Sequence, residues 1–194
     1  MSATLHLLPT GASRSVLQLR IELRGITPKI WRRVWVPDTI TLPRLHRTIQ
    51  TVMGWTDGHL HEFEIARERY GVPDPDWDSP NSPRAEARVR LANCLGGHKQ
   101  FHYLYDFGDS WEHKIIVEKR LVDDDMPHPL CIDGENACPP EDIGGATGYA
   151  DFLNAIESPT HPDHEHYLSW CGGEFDPAKF DVVETNKNLA RIKL

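Results

Sequence analysis

Residues 101–120 read FHYLYDFGDSWEHKIIVEKR, two alternating apolar runs on either side of a Gly-Asp pair, which is the strongest hairpin signal in the chain. With Gly108-Asp109 as a two-residue turn, the spacing pairs Phe107 with Ser110, Asp106 with Trp111, Tyr105 with Glu112 and Leu104 with His113. Strand geometry then puts Tyr103, Tyr105 and Phe107 beside Glu112 and Lys114 on one face. The other face carries His102, Leu104 and Asp106 beside Trp111, His113 and Ile115. In that register Asp106 and His113 are diagonal neighbours.

Upstream, VLQLRIELRGI (16–26) places Val16, Gln18, Arg20, Glu22 and Arg24 opposite Leu17, Leu19, Ile21 and Leu23, the alternation of a half-buried strand. After a turn at Pro28, KIWRRVWVP (29–37) repeats the pattern, with Ile30, Arg32, Val34 and Val36 opposite Trp31, Arg33 and Trp35. The two predict an antiparallel pair. Thr41 caps a helix with Pro43 in its first turn, Leu42, Leu45, Ile49, Val52 and Met53 recur at helical spacing, and Gly54 ends it. HLHEFEI (59–65) is extended, with His59, His61, Phe63 and Ile65 on one face.

Residues 71–84 are rich in Pro, Asp and Ser and predict an exposed loop, a short helix or turn follows near 91–95, and residues 121–148 predict irregular structure. Short helices close the chain in GYADFLNAIE, HPDHEHYLSW and ETNKNLARIKL. The fold class is therefore α+β in one domain. It has a mostly antiparallel, curved sheet, one long helix after the second strand, and short helices at the C-terminal end. Residues 1–14 read as a flexible arm and 15–194 as the domain.

The chain of 194 residues has a formal net charge of −8. The charge is unevenly placed: residues 1–60 hold eight basic and three acidic side chains, whereas residues 121–180 hold one and thirteen. An acidic total excludes extensive DNA wrapping and leaves one basic face in the first third. No apolar run reaches the length of about 18 residues that a membrane span needs, and MSATLHLLPTGASRS lacks a basic segment before a long apolar stretch, so a cytoplasmic chain without a membrane partner is expected. Cys94, Cys131, Cys138 and Cys171 show no paired spacing and are expected as free thiols.

Three clusters can carry chemistry. His59 and His61 alternate on one strand face, a usable metal geometry, with Glu62 turned away. Asp106, Asp109, Glu112 and His113 offer the carboxylate and imidazole pairing of a general base, which makes Asp106, Asp109 and His113 the catalytic candidates. Cys131, Cys138, Glu141 and Asp142 lie on a Pro- and Gly-rich loop whose thiols and carboxylates suit a divalent metal ion, with His113, His128 or Cys171 able to complete a set. Trp31, Arg32 and Arg33 interleave aromatic and basic groups, as stacked bases require, and with Tyr105 and Trp111 they are the candidate binding residues. No phosphate-binding glycine loop, Rossmann fingerprint, nucleophile elbow or CxxC pair is present.

PKIWRRVWVP, TLPRLHRTIQTVMGWTDGHLHEFEI, the 101–120 hairpin, CIDGENACPPEDIGGATGYADFLNAI and GGEFDPAKFD follow in this order. Together they resemble the plasmid pRiA4b ORF-3-like family over about residues 15–190. The resemblance implies a compact α+β fold and an association with mobile elements, and it carries over no catalytic residue. Members are often labelled TnpR-like. A serine resolvase reading does not fit here, because Ser13 and Ser15 sit in the arm beside Arg14 and the last third is acidic. The expected function is binding of a protein or nucleic-acid partner through a surface. The alternative is a metal-dependent hydrolase or nuclease using His59, His61, Asp106, Asp109 and His113 with Glu141 and Asp142.

Overall fold

The computed structural model describes residues 15–73, 79, 82–122 and 129–192. The predicted arm, half of the loop in 71–84 and His128 therefore lie outside the described residues. Two long strands, β1 (Ser15–Leu23) and β2 (Trp31–Pro37), precede α1 (Leu42–Met53). Next come β3 (His61–Ile65), β4 (Glu68–Gly71), β5 (Arg84–Ala85) and α2 (Leu91–Leu95). The central hairpin is β6 (Gln100–Tyr105) and β7 (Trp111–Val122), followed by β8 (Leu130–Glu135). Three helices close the domain: α3 (Gly145–Glu157), α4 (His164–Trp170) and α5 (Val182–Leu189). The strands form one eight-stranded sheet in the order β5-β4-β3-β6-β7-β1-β2-β8, antiparallel except at β4-β5.

The hairpin register differs from the sequence expectation by one residue. Tyr105 pairs with Trp111, Leu104 with Glu112 and Tyr103 with His113, so the connection is Asp106 to Ser110 instead of two residues. Asp106 starts it as an Asx turn. Its side chain accepts from the Gly108 N–H at 2.9 Å and the Asp109 N–H at 3.3 Å, and both Asp106 and Ser110 take positive φ, at 55°. A one-residue slip exchanges the faces of a strand. The observed register puts Phe101, Tyr103 and Tyr105 on the same buried face as Trp111, His113 and Ile115, each of them at most 2% exposed. Burying a large apolar side chain is worth about 1.5–3 kcal/mol, so keeping these rings in one core outweighs a tight two-residue turn.

The residues expected to be irregular contain β8. It pairs with the outer side of β2 through a register shift between Arg33 and Val34. Asn186 on α5 covers its free edge, accepting from the Cys131 N–H at 2.8 Å and donating to the Cys131 carbonyl at 2.7 Å. A side chain from a distant helix thus supplies the pairing that an edge strand lacks. α1 keeps its predicted bounds, with Gly54 at φ 92° ending it in the left-handed region. Its face of Leu42, Leu45, Ile49, Val52 and Met53 is buried in the core, and His46 and Gln50 reach the Tyr103 hydroxyl.

Candidate functional site

The turn between α1 and β3, the hairpin connection and the loop before α3 converge at His59. Its Nε2 lies 3.2 Å from Asp142 Oδ1, 3.4 Å from Glu141 Oε2 and 3.7 Å from Asp106 Oδ2. Ligand atoms of His59, Asp106 and Asp142 all fall within 4.8 Å of one another. Each approach follows from local structure. Asp106 and Asp142 both hold left-handed backbone, at φ 55° and 58°. Glu141 is clamped by the Thr56 N–H at 2.6 Å, the Thr56 hydroxyl at 3.2 Å and the Tyr105 hydroxyl at 3.1 Å. Burial, and then the neighbouring Glu141 carboxylate, push the Tyr105 phenol well above its usual range, so it remains a donor.

The electrostatics are lopsided. Three carboxylates face one imidazole, and none of them makes an ion pair with a lysine or arginine among the described residues. Ligands bound at about 2.1 Å to one ion stand about 3.0–3.5 Å apart when adjacent, which is close to the spacing around His59. His59 and Asp142 face water, with 31% and 73% of their side chains exposed, and Asp106 and Glu141 lie beneath them. Asp109 turns to the rear and accepts from the Gly144 N–H at 3.1 Å, tying the hairpin connection to the start of α3. Two exposed apolar side chains, Leu60 and Phe107, neighbour His59 and Asp106 in sequence, and the Leu60 carbonyl accepts from the Asp106 N–H at 3.0 Å.

The other candidates are placed elsewhere. His61 is buried, donates from Nε2 to both oxygens of Glu86 at 3.1 Å, and stacks on His46 with ring centroids 3.5 Å apart. His113 is not beside Asp106, because the shifted register turns it into the core. Its Nδ1–H donates to the Trp111 carbonyl at 2.9 Å, and burial lowers its pKa to about 4. Cys131 and Cys138 lie near the Arg32 guanidinium, burial pushes their thiols up to about 11 and about 12, and neither belongs to the cluster of His59, Asp106 and Asp142. Glu112 pairs with Arg24 on the open sheet face.

The basic and aromatic stripe is divided by the sheet. Arg32 is 2% exposed and spends its donors on the carbonyls of Val52, Trp31 and Glu135, each at 2.8 Å, with Phe180 stacked at 3.8 Å. These bonds occupy Nε and Nη1, and at this burial the guanidinium is not part of an exposed basic face. Arg33 stays on the outer face but is bound to Glu118 and Asp133, and Trp31 is covered by Arg20 at 4.0 Å. Tyr105 and Trp111 are in the core at 1% and 2% exposure.

Thr56, Asp57, His46 and Gln50, which support the site, carry no motif of their own. The WTDG turn was their one sequence signal, and it was legible as a turn and not as a support.

The chain is similar to known proteins along most of its length. The family model described as plasmid pRiA4b ORF-3-like protein matches residues 15–184. The uncharacterized protein y4hQ of Sinorhizobium fredii is 41% identical over 177 residues, which is 89% of this chain and 90% of that protein. The crystal structure of MM3350, a protein of unknown function from Methanosarcina mazei, superposes with a TM-score of 0.81 at 35% identity, over 89% of this chain and 97% of that one. No helix among the described residues is long and apolar enough to cross a membrane.

Proposed function

This chain belongs to the plasmid pRiA4b ORF-3-like family, and we propose that it binds one divalent cation through His59, Asp106 and Asp142, with Glu141 as a further oxygen donor, and uses it for hydrolysis. The observation that carries the reading is the approach of three carboxylates to one imidazole at 3.2–3.7 Å. A protonated His59 would leave two of three negative charges uncompensated, whereas a doubly charged ion with neutral His59 leaves one. One nitrogen with several carboxylate oxygens suits Mn²⁺ or Zn²⁺ better than a thiolate-loving metal. A cation held by His59, Asp106 and Asp142 would supply Lewis-acid activation of a carbonyl or a bound water, and the exposed side of His59 and Asp142 would admit the substrate.

Substrate charge follows from the surroundings. Residues 121–180 carry one basic and thirteen acidic side chains, and the two acids of the 141–142 pair come from this stretch. Its field repels polyanions, so an uncharged or cationic substrate is favoured over nucleic acid, and Leu60 and Phe107 beside the site suit an apolar group on it. The test is titration of chelator-treated protein, purified without a metal-affinity tag, with Mn²⁺ and with Zn²⁺. One ion per chain is expected, with binding lost in His59→Ala and in Asp142→Asn. Affinity weaker than about 1 mM for both metals removes the proposal.

A further inference from the structure

We infer that Asp57 is a positioning residue for His59, setting the imidazole for the cation through a closed ring of hydrogen bonds. The inference rests on the metal reading above and adds a support that none of the liganding residues contains.

Every residue before His59 in its turn is tethered to another element of the fold. The Trp55 indole N–H donates to the Pro139 carbonyl at 3.0 Å, the Thr56 N–H to Glu141, and the Gly58 N–H to the Tyr105 hydroxyl at 3.1 Å. Asp57 has the most elaborate anchorage. Its N–H donates to Gln50 Oε1 at 3.0 Å, and Gln50 Nε2 donates to the Tyr103 hydroxyl at 3.0 Å. That hydroxyl donates to His46 Nδ1 at 2.8 Å, and His46 Nε2–H returns to Asp57 Oδ1 at 2.5 Å. Each polar group is used with its natural role when His46 is neutral, and burial, followed by the stacked His61 ring, lowers the His46 pKa.

The ring begins and ends on a residue with left-handed backbone. Asp57 has φ 62°, where a side chain other than that of glycine, asparagine or aspartate is disfavoured. Tyr103 sits on β6, three residues before Asp106, and His46 and Gln50 sit on α1. The ring therefore ties the His59 turn to the helix before it and to the strand that leads into the Asp106 turn. Ligand orientation by such outer groups changes metal affinity about 10- to 100-fold.

Three substitutions separate the backbone from the side chain. Asp57→Asn keeps both the left-handed conformation and an acceptor for His46, Asp57→Gly keeps only the conformation, and Asp57→Ala keeps neither. Mn²⁺ affinity is read by electron paramagnetic resonance on the full chain, beside the thermal midpoint of the metal-free protein. The expected result is wild-type affinity in Asp57→Asn and about 10- to 100-fold weaker binding in Asp57→Gly, with the metal-free protein still folded at the assay temperature. Asp57→Ala binds more weakly still. Asp57→Gly binding as the wild type does, with the Asn variant equal, overturns the inference and leaves the metal reading standing. A wild type that binds no Mn²⁺ and no Zn²⁺ removes both.

Discussion

Acidification singles out His113. Its ring is fully buried, Nδ1–H donates to the Trp111 carbonyl, and Nε2 is the one buried side-chain nitrogen or oxygen without a partner among the described residues. Protonation in place would put a charge among Trp55, Tyr103 and the sheet core with no carboxylate beside it, and burial holds the folded pKa at about 4 against an ordinary 6.5. The sign follows directly. The unfolded chain takes up the proton first, so the stability is whole above about pH 6.5 and drains as pH falls toward 4. At about 1.4 kcal/mol per pH unit the loss comes to about 3 kcal/mol, a large share of an ordinary domain's stability.

The variant His113→Leu removes the titration and keeps an apolar filling. At neutral pH it relieves the unpaired Nε2 and strands the Trp111 carbonyl, each worth about 1–3 kcal/mol, so the two nearly cancel. Urea unfolding of both proteins from pH 7 to about 4.5 isolates the linkage, since the other groups titrate alike in each. The wild type should lose about 2.5 kcal/mol more than the variant over that range. Parallel profiles for the two proteins would refute the reasoning, and with it the claim that this histidine is a neutral core residue.

Three further substitutions test the scaffold. A Cβ on Gly148 would stand 1.9 Å from the Ile143 carbonyl oxygen, so Gly148→Ala must displace the segment that carries Glu141 and Asp142 or the start of α3. The expected cost is about 3 kcal/mol with weakened Mn²⁺ binding, and an unchanged thermal midpoint would show that the contact relaxes freely. Arg32→Lys cannot reproduce one planar guanidinium bonded to three carbonyls and stacked on Phe180, and should cost about 2 kcal/mol in urea unfolding, whereas Arg33→Ala, on half-exposed ion pairs of the outer face, should cost about 1 kcal/mol. Equal effects at the two positions would contradict the opposite placement of these neighbours.

Local pattern was enough for much of the framework. The alternation of VLQLRIEL and WRRVWV yields β1 and β2 with their buried faces, and Pro43 and Gly54 bracket α1 because one tolerates a helix start and the other a left-handed end. It failed where a distant group completes an element. Strand β8 depends on Asn186, which is 55 residues from Cys131, and the hairpin register depends on which rings share a core with α1. The Arg32 alternation was legible, but the meaning of its face was not. A charged side chain on a core-facing position becomes tolerable only once three carbonyls and Phe180 are brought to it.

The site divides along the same line. The sequence alone determines the ingredients: an exposed turn at Thr56-Asp57-Gly58 with histidine after it, Asp106 beside Gly108, and a constrained Glu141-Asp142 loop before α3. Tertiary structure alone decided that His59 and not His61 meets Asp106, Glu141 and Asp142, because β3 begins at His61 and turns that ring inward to Glu86 and His46. It also placed His113, Cys131 and Cys138 outside the cluster at His59. The physical reason is that pairing a strand settles which side of the sheet each residue occupies, and whether a polar group then faces water, a partner or the core sets its chemistry.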